Sequence, residues 1–136
     1  MRAGRLLLEQ IRSLAGKRSD FGFETTLSGV THVALLRRLK AQGYRIQLFF
    51  LWIPTVEMAL ARIADRVRRG GHDIPEKVVR RRFHKGLQNL FTRYQFVLDS
   101  WTLFDNSGTA PRLIAREELG EIRVFDQALF ARTMKG

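Results

Sequence analysis

Apolar residues recur with a helical period in four stretches of this chain and run almost unbroken in one. Leu7, Leu8, Ile11 and Leu14 share a face, which predicts a helix over about Ala3–Ala15, ended by Gly16. Val33, Leu35, Leu36 and Leu39 predict a second over Thr31–Gln42, closed by Gly43. Val56, Leu60, Ile63 and Val67 mark a third, with Pro54 suited to its first turn and Gly70-Gly71 breaking it. Val79, Phe83, Leu87, Leu90, Tyr94 and Val97 form the stripe of a long helix from Pro75 to about Leu98. Between the second and third helices, Ile46–Ile53 is apolar at nearly every position, as in a strand covered on both faces of a parallel sheet. Phe21–Thr25 predicts a short strand with both phenylalanines on one face, and Trp101–Phe104 another, followed by the turn Asp105-Asn106-Ser107-Gly108. Arg112–Arg116 and Ile122–Phe125 read as short terminal strands, and the tail from Asp126 as helical.

Strands alternating with helices predict an α/β layered sheet. With 136 residues, 45% of them hydrophobic, the chain is expected to form one domain. It has no cysteine, which removes disulfides and thiolate chemistry. The longest apolar run, Leu48–Pro54, is far below the ~20 residues that span a bilayer. Leu6-Leu7-Leu8 is too short for a signal-peptide core and is interrupted by Glu9. The expectation is a soluble, cytoplasmic protein with no membrane partner. A net charge of +11 changes this picture by requiring an anionic partner, whether a nucleotide, a phosphorylated small molecule, nucleic acid or an acidic protein.

Three groups of residues carry candidate chemistry. Glu24 ends the first predicted strand, with Thr25, Thr26 and Ser28 beside it. Ligands in open parallel sheets bind beyond such strand ends, although Ser28 could equally cap the next helix while Glu24 pairs with an arginine. Arg62, Arg66 and Arg69 share a helical face, and Arg80, Arg81 and Arg82 follow the glycine pair. Guanidinium groups suit phosphate, and a glycine hinge between two such helices would let them close over a substrate. His72 and Asp73 lie in that hinge. His32, His72 and His84 have no metal-binding spacing, so no metal site is expected. No Gly-x-x-x-x-Gly-Lys-[Ser/Thr] loop is present; Gly16-Lys17-Arg18-Ser19 lacks the first glycine and ends a helix.

Taken in order, Phe23-Glu24-Thr25-Thr26-Leu27-Ser28, Gly43-Tyr44, Arg62–Pro75, Arg81-Arg82, Asn89-Leu90 and Asp105-Asn106-Ser107 resemble the zeta-toxin and predicted-ATPase branch of P-loop kinases over about Ala3–Ala115. The resemblance implies a three-layer α/β sandwich with a mostly parallel sheet, and ATP-dependent phosphotransfer with Mg. In the characterised toxins the acceptor is a UDP-activated amino sugar. It implies that Glu24 and Thr26 match the acceptor-binding Glu-x-Thr, while Ser28 stands where the toxins have arginine. Arg62 or Arg66 matches the catalytic lid arginine. Arg69, His72, Arg81 and Arg82 belong to the phosphate-facing lid, and Asp105-Asn106-Ser107 lie near the adenine. The Walker A segment and the aspartate base have no counterpart here. The expectation is therefore one partial domain over 1–136, with an acceptor strand at 21–28, a lid at 56–84 and an adenine-side loop at 105–108. It would lack the first, central strand and be inactive alone. Two other functions are consistent with the residues. One is a basic nucleic-acid-binding domain, which the clustering of arginines at one hinge disfavours. The other is an interaction domain completed by an antitoxin or a complementing N-terminal segment.

Overall fold

The computed structural model describes residues 2–135 of the chain, and side chains from residue 9 onward. Leu7 and Leu8, expected on the apolar face of the first helix, lie outside the described side chains. Helix α1 (Arg2–Gly16) is followed by α2 (Thr31–Ala41), β1 (Gln47–Trp52) and α3 (Val56–Arg68). Then come α4 (Glu76–Arg82), α5 (Lys85–Thr92), a 3-10 turn at Tyr94–Val97, strands β2 (Ser100–Asp105), β3 (Arg112–Glu118) and β4 (Glu121–Val124), and α6 (Gln127–Lys135). This is the α/β class that the alternation of periods predicts, compatible with a P-loop-kinase-like layout, with helices flanking a four-stranded sheet.

The sheet is mixed, which corrects the expectation of a mostly parallel one. Its order is β1-β2-β3-β4. Only β1 and β2 run parallel, from Gln47 beside Ser100 to Trp52 beside Asp105. β2–β3 and β3–β4 are antiparallel, as short connections require. Centrality also differs from expectation. Strand β2 is buried over most of its length, with Trp101 and Leu103 fully enclosed, whereas β1 is an edge strand on which Gln47, Phe49 and Leu51 are exposed. The unbroken apolar character of β1 comes from one covered face and one bare face.

The expected strand at Phe21–Thr25 does not form. Residues 19–28 carry no regular structure, because nothing pairs with them and isolated extended chain has no ladder to join. Side chains hold the segment instead. Tyr44 Oη donates to the Ser19 carbonyl at 2.9 Å, and Phe21 meets the Tyr44 ring edge-on at 5.5 Å.

The long helix expected from Pro75 to Leu98 is broken twice. Residues Phe83-His84 turn between α4 and α5, and Arg93 leaves helical geometry (φ −129°, ψ −56°) before the 3-10 turn. The apolar stripe is nonetheless retained, with Val79, Leu90, Tyr94 and Val97 buried. Gly86, a poor helix former, sits in the first turn after the first break. Helix α3 starts at Val56, two residues beyond Pro54, which lies outside its first turn, because Thr55 Oγ1 caps it by accepting from Met58 N at 3.2 Å.

The core joins Ile11 of α1, Leu35, Leu36 and Leu39 of α2, Leu90 and Tyr94, and the sheet residues Trp101, Leu103 and Ile114. Asp99 fixes the entry of β1. Its carboxylate accepts from Ile46 N at 2.6 Å while its own amide donates to the Ile46 carbonyl at 2.8 Å. No helix among the described residues is long and apolar enough to cross a membrane.

Candidate functional site

The loop at Glu24–Ser28 is shaped by its own hydroxyls and clamped from behind by α5. Thr25 Oγ1 accepts from Leu27 N at 3.2 Å, and Thr26 Oγ1 donates to Ser28 Oγ at 3.0 Å. Between them, Leu27 is buried and adopts a left-handed conformation (φ 54°), which a branched L residue takes only when its surroundings impose it. The surroundings do so at three carbonyls. Asn89 Nδ2 donates to Leu27 O at 2.6 Å, and Tyr94 Oη donates to Gly29 O at 2.8 Å. Gly86 lies so close to Thr26 O that a Cβ there would stand 2.6 Å away. The clamp presents Glu24 and Thr26 outward, both exposed, with Ser28 half-buried.

The sequence marks Asn89 as part of a motif and Tyr94 as a member of an apolar stripe, and gives Gly86 no role. A conformationally demanding residue next to a hydroxyl-rich loop is a signal visible only once the two are paired in space. Tyr94 is fully enclosed, and burial raises its phenol above the ordinary value, partly offset by a hydrogen bond to the His32 backbone. His32 Nδ1 is also buried and has no hydrogen-bond partner; its ring stands edge-on to Phe23 at 5.6 Å.

The arginine face of α3 is divided by its partners. Arg62 is half-buried and its guanidinium donates to the Asn106 carbonyl at 2.6 Å, tying α3 to the loop after β2. Arg66 is exposed. Arg69 pairs with Asp65 at 3.5 Å, as Arg68 does at 3.7 Å. The Asp105–Ser107 loop is ordered by Asp105, buried, whose Oδ1 accepts from Ser107 N at 3.0 Å, and by Asn106 N donating to Trp52 O at 2.7 Å. Arg62 and Asn106 therefore meet at the carboxyl ends of the parallel pair β1/β2, where open sheets bind ligands.

Gly70-Gly71 is a built helix end as well as a break. Gly70 takes φ 96°, Gly70 N donates to Val67 O at 3.0 Å and Gly71 N to Arg66 O at 2.8 Å, the bonding pattern of a Schellman cap. Beyond it His72, Arg81 and Arg82 are exposed, and among the described residues none of them forms an ion pair. Arg80 is held at 3.5 Å by Glu76 and at 3.7 Å by Glu57 of α3. The structure thus brings Thr26 to Ser28 and Arg62 to Asn106, and leaves Arg66, His72, Arg81 and Arg82 free in solvent. Glu24 forms no ion pair among the described residues.

The donor set was tested against a metal–triphosphate group. No cluster of three or more His, Asp or Glu among the described residues could hold a cation, and no glycine-rich phosphate loop stands at any helix start in the 136 residues. The residues present do not fit that group.

Comparison with known proteins gives a family. A profile of the family described as "Zeta toxin" matches residues 2–117. An uncharacterized protein of Haemophilus influenzae is 35% identical over 81 residues, which make up 60% of this chain and 58% of that protein. No solved structure matches the chain.

Proposed function

We propose, because the chain belongs to the zeta-toxin family, that it is the acceptor-and-lid part of a kinase-like phosphotransferase. Glu24 and Thr26 receive the acceptor, with Ser28 beside them, and Arg62 and Arg66 face the transferring phosphates. Arg69, His72, Arg81 and Arg82 contribute from the lid, and Asp105-Asn106-Ser107 border the nucleotide. The observation that carries the reading is the link from Arg62 to Asn106, which ties the arginine helix to the loop at the strand ends. A guanidinium held there is oriented before any phosphate arrives, and pre-orientation is how arginine contributes to phosphoryl transfer. Transfer also needs a phosphate cradle, which these 136 residues do not encode. The reading accordingly assigns them anion binding and acceptor positioning, and no step is derived through ATP or magnesium. The absence of arginine at Ser28 points away from the sugar nucleotide of the characterised toxins.

Titration calorimetry of the purified chain with metal-free ATP, a polyphosphate anion that calls on the arginines alone, tests this. Arg66→Ala should weaken binding roughly five- to tenfold, the loss of one charge-assisted phosphate contact, and leave the melting temperature nearly unchanged because Arg66 is exposed. Glu24→Gln should leave ATP affinity as it was. Equal affinity of the wild-type chain and Arg66→Ala rejects the assignment.

A further inference from the structure

The outer edge of β1 is unpaired, and its chemistry can be read from the inner edge. Ile46 and Trp52 direct their carbonyls toward the β2 side, to Asp99 N at 2.8 Å and Asn106 N at 2.7 Å. Amide groups alternate between the two edges of a strand. Leu48 and Phe50 therefore also face β2, and Gln47, Phe49 and Leu51 direct N–H and C=O outward. Among the described residues nothing bonds to these outward groups.

Beside this edge lies a crevice of about 800 Å³, walled on its far side by residues 21–27 and floored by Leu36, Leu39, Tyr94 and Leu98. The far wall runs in the same direction as β1: Phe21 touches Tyr44 near the strand's start, and Thr26 meets Gly86, which abuts Phe50. Phe49 and Leu51 are 63% and 53% exposed at the rim, a bare apolar surface continuous with the free ladder groups. The unpartnered His32 Nδ1 belongs to a residue that lines the crevice.

Charge is uneven along the crevice. Arg45 lines its Tyr44 end, where an adjoining cavity of about 530 Å³, sharing Leu39 and Tyr44, is lined by Arg12, Arg18 and Arg38. None of the four arginines pairs with a carboxylate among the described residues. Glu24 lines the crevice from the Thr26 side of the far wall.

We propose that this crevice is a strand-acceptor site. Its occupant is an extended segment of a partner polypeptide, apolar at alternate positions for about six residues (~20 Å) and acidic at the end that meets Arg38 and Arg45. An extended backbone pairs a row of strand N–H and C=O groups in register and displaces the water that otherwise solvates them, and this mode of recognition takes its affinity from the ladder and its specificity from alternate side chains. The arginine cluster sets the polarity. The crevice shares Glu24 and Thr26 with the proposed acceptor site, but the free edge of β1 and the arginine cluster that carry this proposal do not enter the phosphotransfer reading, and an ATP titration bears on that reading alone.

Amide hydrogen exchange on the full chain decides it, with a synthetic peptide as probe. The peptide alternates valine and threonine over the length of β1 and carries two aspartates at one end. Its binding should slow exchange at Phe49 and Leu51 by roughly tenfold or more. Leu48 and Phe50, already bonded to β2, should be unchanged. Replacing Arg38 and Arg45 by Glu should weaken binding at least several-fold and reverse the preference between aspartate and lysine ends. Equal binding of a peptide with proline at every second position overturns the proposal, since it cannot form the ladder. Slow exchange at Phe49 and Leu51 in the free chain overturns it too. If that protection grows with protein concentration, a second copy of the chain is the occupant.

Discussion

A methyl group on Gly86 would stand 2.6 Å from the carbonyl oxygen of Thr26 and 3.4 Å from the Phe50 ring, so Gly86→Ala sets two effects against each other. Alanine in a helix gains ~1 kcal/mol over glycine, while forcing a backbone carbonyl aside in a packed site costs ~1–3 kcal/mol. The contact is with backbone, which has little room to yield, so the clash wins. Thermal unfolding should show a net loss of up to ~2 kcal/mol. The resonances of Glu24–Ser28 should shift; a stabilised variant with an unmoved loop would contradict the clamp. Tyr94 bears on the same loop through pH. Burial holds its phenol above the ordinary tyrosine value in the folded chain, so the unfolded state loses its proton first. Stability from this group is complete below pH 10.0 and falls as pH rises through the higher folded value. Tyr94→Phe should abolish that part of the alkaline decline. At neutral pH it should cost ~1 kcal/mol, the low end for a lost hydrogen bond, since exposed Gly29 can turn its carbonyl to water. An alkaline slope identical in both proteins would reject the role. The Glu24, Thr26 and Ser28 triplet is legible in the sequence because it is local. Its clamp is not, because Asn89 and Tyr94 lie 62 and 65 residues from the carbonyls they hold.

Among the elements, α3 is loosely joined to the sheet. No residue of it is fully buried, and among the described residues Arg62–Asn106 is its one side-chain hydrogen bond to the sheet layer. Its amides are therefore expected to exchange through local opening well before those of β2, which is enclosed. Arg62→Met should accelerate exchange across Val56–Arg68 and leave β2 unaffected; a uniform change in both would show that α3 unfolds only with the whole domain. Helix positions were readable because a 3.6-residue apolar period over ten or more residues has few alternatives. Two strand expectations differ from the structure for different reasons. Phe21–Thr25 has strand composition, but a strand exists only by pairing, and its neighbour on β1 leaves a crevice between them. Ile46–Ile53 looked central because an apolar run does not reveal whether both faces are covered. The strand that is covered, β2, is the equally long and more polar-looking SWTLFD segment.

At the scale of the whole molecule, the parallel pairing joins distant parts of the chain while the antiparallel ones are local. Strands β2, β3 and β4 follow one another within Ser100–Val124, so this meander closes with short loops. Strand β1 has only β2 as a partner, and the Ile46–Asp99 bond that starts their ladder spans 53 residues. During synthesis, at ~5–20 residues per second, Phe49-Phe50-Leu51-Trp52 leaves the ribosome ~2–10 s before the first residue of β2 follows it out, since Ser100 lies 48 residues after Trp52. For that interval both edges and both faces of the segment are bare. A nascent chain of this protein thus displays a four-residue aromatic and aliphatic stretch of the kind that holdase chaperones grip, and its release waits until Ser100–Asp105 has itself left the ribosome.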